Sequence, residues 1–132
     1  MKKFAFSLEK VLRLREWSEH QARLALGRAV SEKTAIETEL ASNAEKRVSA
    51  GSEWKNARST FDFQAYGAYM ARLDAEKEKL ARQAAAAEIR LEAARNEWTA
   101  AKSELSGMEN LKKRRFAEYK KESLKQEEAE RS

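Results

Sequence analysis

The chain has 132 residues with no Pro, no Cys and four Gly, and 37% of its residues are charged. Ala, Glu, Lys, Leu and Arg dominate, a composition typical of long helices and coiled coils, while the lack of Cys excludes disulfides and thiolate metal sites. No apolar run approaches the roughly 18 residues that a membrane-spanning helix needs, so the cytoplasm is the expected location.

The chain opens with Phe4 and Phe6 alternating with small residues, which predicts a short non-helical lead-in. From Leu8 onward, a row of positions recurs at alternating steps of three and four residues, which predicts a helix over about residues 8–57. We call such a row a seam, because it faces a partner helix. The first seam contains several polar residues and consists of Leu8, Leu12, Arg15, Glu19, Ala22, Leu26, Ala29, Lys33, Ile36, Leu40, Asn43, Arg47 and Ala50.

A turn is predicted at about residues 59–63, where the first seam has lost its apolar members. Phe61 and Phe63 flank Asp62, a residue type that caps helices. Gly51 is a weaker candidate, because a single Gly costs only about 1 kcal/mol inside a helix.

The second helix is predicted over about residues 64–125, followed by a charged tail to residue 132 that is either frayed or an unpaired helical overhang. Its seam also repeats every seven residues, and only Lys77 in it is charged. The seam consists of Tyr66, Met70, Leu73, Lys77, Leu80, Ala84, Ala87, Leu91, Ala94, Trp98, Ala101, Leu105 and Met108.

Neither narrow seam can be buried by its own helix, so the two helices are expected to pack against each other. The sequence therefore predicts an all-α fold, a long two-helix antiparallel coiled-coil hairpin that forms a single domain over residues 1–132. A turn near residue 61 places Ile36 opposite Ala87 and Leu40 near Ala84. It also brings Phe4 to the level of Phe116 and Tyr119, where pairing should end.

No constellation of catalytic residues is present. His20 is the only histidine, with Glu16 and Arg23 as helical neighbours, and it is interpreted as a solvated surface residue. Gly-rich phosphate loops are absent, and carboxylates on a rod lack a cleft that would shift their pKa. The sequence thus predicts a protein that is not an enzyme and that has no cofactor and no metal site.

Basic residues concentrate near the end of the second helix. The window 112–121 holds six basic residues and one acid, so it carries the whole formal charge of +5. The segment Lys112-Lys113-Arg114-Arg115 is interpreted either as favourable charge near a helix C-terminus or as a binding site for an acidic partner. Nucleic acid is the weaker choice, because several Glu residues follow at once.

Aromatic residues crowd the predicted turn. They either plug the open end of the coiled coil or form an exposed recognition patch. The four residues are Phe61, Phe63, Tyr66 and Tyr69.

Three stretches together resemble the flagellar export protein FliJ family, and more distantly the YscO-type stalk proteins of virulence secretion systems. The resemblance covers nearly the whole chain. The stretches are Phe4-x-Phe6-x-Leu8-x-x-Val11-Leu12-x-Leu14-Arg15, Tyr66-x-x-Tyr69-Met70-x-x-Leu73, and Trp98-x6-Leu105-x2-Met108-x2-Leu111-x-x-Arg114-Arg115-x3-Tyr119.

This resemblance implies a two-stranded antiparallel coiled coil in the type III flagellar export apparatus. It implies a stalk that inserts into the export ATPase hexamer, links it to the cytoplasmic domain of the export-gate protein FlhA, handles export chaperones, and reaches the inner face of the cell membrane only through partners. The gate-binding positions carried over by the resemblance are Tyr69, Leu73, Glu76 and Leu80. In two of them the residue type differs from the family pattern, namely Glu76 and Leu80.

For the ATPase contact we expect Lys112, Lys113, Arg114 and Arg115, because the basic end of the hairpin suits an acidic ring. Two other classes of protein stay open at this point. One is a structural coiled-coil spacer, and the other is a nucleic-acid-binding hairpin. A virulence secretion stalk is a further alternative to a flagellar one, and the sequence leaves the oligomeric state open.

Overall fold

The structure, a computed structural model, describes residues 3–131. It contains two α-helices, α1 over Glu9–Trp54 and α2 over Thr60–Arg131, and no strand among the described residues. The two helices pack against each other as an antiparallel hairpin, which confirms the predicted fold class. Met1, Lys2 and Ser132, which the predicted domain includes, lie outside the described residues.

Two compact units make up the hairpin, and each pairs a segment of α1 with a segment of α2. In the unit Leu26–Ala94, a buried cluster contains Ile36, Leu80 and Ala87, and Leu40 and Ala84 pack against it. This cluster confirms that Ile36 lies with Ala87, and Leu40 and Ala84 pack against the same cluster. That the whole chain forms a single domain stays a prediction.

The other unit joins the chain up to Ala25 to the part from Arg95 onward. Phe6 and Leu12 are buried there. The ring of Phe4 lies 5.1 Å from that of Phe116 and 5.5 Å from that of Tyr119, centre to centre. The lead-in therefore reaches the level of α2 that the sequence predicts.

The predicted seams are the faces that the structure buries. Every predicted seam position of α1 is buried or half-buried, and in α2 the same is true of all positions except Lys77. Lys77 is exposed because its long side chain lets the charged amino group stay in water. The seven-residue period thus predicts the packing face of both helices.

The polar seam positions of α1 are all used in contacts with α2. Because these side chains are long or carry amide groups, they reach partners on α2 instead of leaving gaps in the seam. The contacts are Arg15 to Glu104 at 2.8 Å, Trp98 Nε1 to Glu19 at 3.1 Å, Lys33 to Glu88, Asn43 Nδ2 to the Leu73 carbonyl at 3.0 Å, and Arg47 to Asp74.

The connection between the helices lies earlier than predicted. It covers residues 55–59 instead of 59–63, and α1 ends at Trp54 instead of about residue 57. Ser59, and not Asp62, caps α2, because Ser59 Oγ accepts the amide hydrogen of Asp62 at 3.1 Å. Asp62 stands in the first turn of α2, where its Oδ2 accepts the amide of Arg58 at 3.1 Å. The two bonds resemble a capping box, except that Asp62 accepts from Arg58, the residue before the cap, and not from Ser59 itself.

The end of α2 agrees with one of the two alternatives given for the tail. The helix continues past residue 125 to Arg131, so these residues are a helical overhang and not a frayed tail. No Gly follows Gly107 and no Pro occurs, and the last turns consist mostly of Lys, Glu, Gln, Leu and Ala. These residues favour helix by intrinsic propensity, so the helix persists without an apolar period.

Candidate partner-binding surfaces

Trp54 organises the surface around the helix connection. Its ring centre lies 4.5 Å from that of Phe63 and 4.5 Å from that of Tyr66. Sequence reasoning missed Trp54, although it stands four residues after Ala50 and so continues the first seam by one step. We call Trp54, Phe63 and Tyr66 the connection cluster.

A groove of about 430 Å³ runs beside the connection cluster. Its walls include Glu53, Asp62 and Tyr69, so carboxylates and an aromatic ring meet in it. Phe61 is 76% exposed and takes no part in the ring contacts of the cluster. Of the four aromatic residues predicted near the turn, Phe63 and Tyr66 therefore pack on Trp54, with Phe63 still 45% exposed, and Phe61 stays open to solvent.

The four residues expected to bind the gate do not share one exposed face. Leu73 and Leu80 are each 3% exposed, because they are seam positions of α2. Tyr69 is half-buried, with the guanidinium carbon of Arg72 5.7 Å from its ring centre, and Glu76 is exposed. While the helices stay paired, only Tyr69 and Glu76 are accessible to a partner.

The basic segment Lys112–Arg115 spreads around α2 instead of forming one face. Successive helix residues are rotated by about 100°, so four in a row cover the whole circumference. Lys112 is half-buried, and its Nζ lies 2.9 Å from Glu9 Oε2 on α1. Lys113, Arg114 and Arg115 are exposed. The segment thus splits into one residue that ties the helices together and three that face solvent.

Apolar grooves flank this basic segment. One of about 460 Å³ is lined by Phe4, Leu12, Lys112, Lys113 and Phe116, together with two glutamates. The Nζ of Lys120 lies 4.9 Å from the ring centre of Phe116. The basic side chains therefore border aromatic surface, which suits contact with a protein that offers both acids and apolar groups.

His20 and the acidic side chains are the residues from which a catalytic or metal site would have to be built. His20 Nδ1 lies 3.3 Å from a guanidinium nitrogen of Arg23, on the exposed part of α1. Within residues 3–131, no three His, Cys, Asp or Glu side chains are grouped so that they can hold a metal ion. What the described surface offers instead is charge and aromatic area.

A comparison with protein families favours one of the classes that the sequence left open. The model of the family described as flagellar FliJ protein matches residues 4–131. The chain belongs to the FliJ family. No curated protein matches it, and no solved structure does. Family membership supports a role in flagellar export.

The match to the FliJ family spans both surfaces described above. It begins at Phe4, the lead-in residue that packs on α2, and it extends through the connection cluster and the basic segment.

Neither α1 nor α2, within residues 3–131, contains an apolar stretch of the length that crossing a membrane requires.

Proposed function

We propose that the chain is a non-enzymatic stalk and adaptor of the flagellar type III export apparatus. It inserts into the export ATPase ring and links this ring to the gate protein FlhA and to export chaperones. It works in the cytoplasm and is held at the inner face of the membrane only by its partners. The observation that carries this proposal is the FliJ family match over residues 4–131.

The physical properties of the hairpin support such a role. The seams of the two helices are buried against each other, and most of the charged side chains face outward. A helix pair with a charged outer surface suits insertion into the centre of a ring of partner subunits.

The ATPase contact is assigned to the basic segment. Lys113, Arg114 and Arg115 are exposed and border aromatic grooves, so an acidic, partly apolar ring surface complements them. Replacing Lys112, Lys113, Arg114 and Arg115 by Ala is expected to reduce both stimulation of the purified export ATPase and co-sedimentation with it.

A matched control removes the same charge elsewhere. It replaces four exposed residues on other parts of the helices by Ala, and these are Lys46, Lys77, Lys79 and Arg82. We expect this control to stimulate the ATPase as the wild type does. Equal behaviour of the two four-residue variants would remove the basic segment from the ATPase interface.

The gate contact is assigned to Tyr69 and Glu76, the accessible members of the predicted set. Tyr69→Ala is expected to weaken capture of the purified cytoplasmic domain of FlhA, whereas Ile89→Ala, at a 72% exposed position, is expected to leave it unchanged. If the wild-type chain captures neither the export ATPase nor FlhA, the proposed role itself is wrong.

A further inference from the structure

The outer side of α1 carries a second row of residues with the spacing of a seam. Leu12, Arg15 and Glu19 turn toward α2, since Leu12 is buried, Arg15 binds Glu104 and Glu19 accepts the indole hydrogen of Trp98. Positions two residues later lie about 200° further around the helix, on the side away from α2. They form a row that we call the outer stripe, consisting of Lys10, Leu14, Trp17, Gln21 and Leu24.

All five residues of the outer stripe are exposed, and three of them are large and apolar. Leu14 is 56% exposed, Trp17 60% and Leu24 42%. The stripe residues follow each other at alternating steps of four and three, which is the spacing that lets one helix pack along another. Three large apolar side chains in such a row are more than scattered surface hydrophobics.

The charge on this side of α1 has one sign. Lys10 stands on the stripe and Arg13 beside it, and Arg13 is 77% exposed, with only a long 3.9 Å pair to Glu9. The acids of this segment turn toward α2. Glu9 binds Lys112, Glu19 binds Trp98, and Glu16 lines the groove that contains Leu12 and Phe116.

We propose that the outer stripe is a docking site for an amphipathic α-helix of another protein, one with Leu-type residues at the same spacing and acidic residues at its flanks. The narrow, seam-like stripe fits a helix better than a membrane surface, which requires a wide apolar face. A second copy of this chain fits less well, because the stripe holds no acid to pair with Lys10 or Arg13. The proposal does not depend on the assignments to the ATPase and the gate.

A designed peptide tests the proposal directly. The probe is a labelled helical peptide of three heptads with Leu at the a and d positions and Glu at the e and g positions. The control peptide has Lys in place of Glu. We expect the Glu peptide to bind the full chain at least about tenfold more tightly than the Lys peptide, as measured by fluorescence anisotropy, and we expect this preference to shrink as salt rises.

Variants of the chain test whether the Glu peptide binds at the outer stripe. Trp17→Gln together with Leu24→Gln is expected to weaken binding of the Glu peptide about tenfold or more, since a buried Trp is a common hot spot. The matched control, Val48→Gln with Ile89→Gln, changes two residues that are 75% and 72% exposed, and it is expected to bind as the wild type does.

A charge variant keeps the test decisive even if the apolar variant unfolds. Lys10→Gln with Arg13→Gln is expected to weaken the Glu peptide severalfold and to reduce its salt dependence, with helicity unchanged by circular dichroism. Equal binding of both peptides, or equal binding by the stripe variants and their control, would overturn the proposal.

Two further measurements test the alternative occupants of the outer stripe, which are a membrane and a second copy of this chain. Binding of the chain to phosphatidylglycerol vesicles that is lost in Trp17→Gln with Leu24→Gln, without peptide binding, would assign the stripe to a membrane. Self-association in analytical ultracentrifugation that is lost in the same variant would assign it to a second copy. Either result replaces the proposed helix.

Discussion

Asn43 offers the sharpest test of how the hairpin is held together. Its side chain is 1% exposed, and its Nδ2 donates to the Leu73 carbonyl at 3.0 Å. Asn43→Asp keeps the shape of the side chain but replaces the donating amide by a carboxylate, which can only accept. At neutral pH, an acceptor then faces an acceptor in a buried site, and we expect the free energy of unfolding to fall.

The size of this loss has an upper limit that follows from proton binding. When protonated, the introduced carboxyl can again donate to the Leu73 carbonyl, so the protein escapes the buried charge by raising the pKa of this group. Holding a proton at pH 7 on a group with an ordinary pKa of about 3.9 costs about 4 kcal/mol. We therefore expect a loss of about 2–4 kcal/mol at pH 7, since an unpaired buried charge costs about as much.

The pH dependence has a defined sign. Because the folded-state pKa of the introduced carboxyl is raised above its unfolded value, the native state binds the extra proton first as pH falls. The loss relative to wild type is therefore full above the folded-state pKa and disappears below about pH 4, changing by up to about 1.4 kcal/mol per pH unit between them.

Urea unfolding followed by far-ultraviolet circular dichroism, between about pH 7 and about pH 4, measures both the loss and its recovery. Asn110→Asp, at an exposed position of α2, is the matched control and is expected to stay within about 0.5 kcal/mol of wild type at each pH. If Asn43→Asp is as stable as its control at pH 7, Asn43 is not sealed between the helices, and the assigned packing of this unit is wrong.

Three further predictions concern single contacts, each measured as the change in the free energy of unfolding in urea. Ser59→Ala removes the cap of α2 and is expected to cost about 1 kcal/mol; no loss would show that the cap contributes nothing. Leu80→Ala empties a buried seam position and is expected to cost about 2–4 kcal/mol, whereas Ile89→Ala on the exposed side is expected to cost less than about 0.5 kcal/mol, and equal losses would contradict the seam. Trp98→Phe removes the hydrogen bond to Glu19 and is expected to cost about 1–2 kcal/mol, a loss that should become smaller when Glu19 is already Ala, because only the effect of the smaller ring then remains.

The parts of the fold that repeat could be predicted, because each repeat adds evidence for the same face. Ile36, Leu80 and Ala87 share a cluster as the seam spacing predicts. The residue range of the connection was predicted less accurately, because it depends on a single local competition between two residues that can each cap a helix. Ser59 and Asp62 stand three residues apart and both can cap, and only the structure shows that Ser59 takes the cap position.

The candidate surfaces were predicted less completely than the fold. The aromatic residues predicted near the connection all belong to α2. Trp54, the residue on whose ring Phe63 and Tyr66 pack, belongs to α1 and was not predicted. Positions carried over by resemblance also say nothing of burial. Leu73 and Leu80 belong to the carried-over patch, yet the seven-residue period of α2 already places them inside the helix pair.

The arrangement of residues near the start of α1 argues that this part of the hairpin is shaped by a partner. Burying a Leu or Trp side chain contributes about 1.5–3 kcal/mol, so a helix pair built only for stability would place them on the seam. Here Arg15 and Glu19 occupy the seam, while Leu14 and Trp17, adjacent to or two residues from them, face solvent. The polar seam contacts with Glu104 and Trp98 contribute less free energy to helix pairing than buried apolar side chains would. Leu14 and Trp17 stay exposed to solvent. If a partner helix covers Leu14 and Trp17, as proposed, their apolar area is buried in the complex, and the peptide and variant measurements on the outer stripe test this.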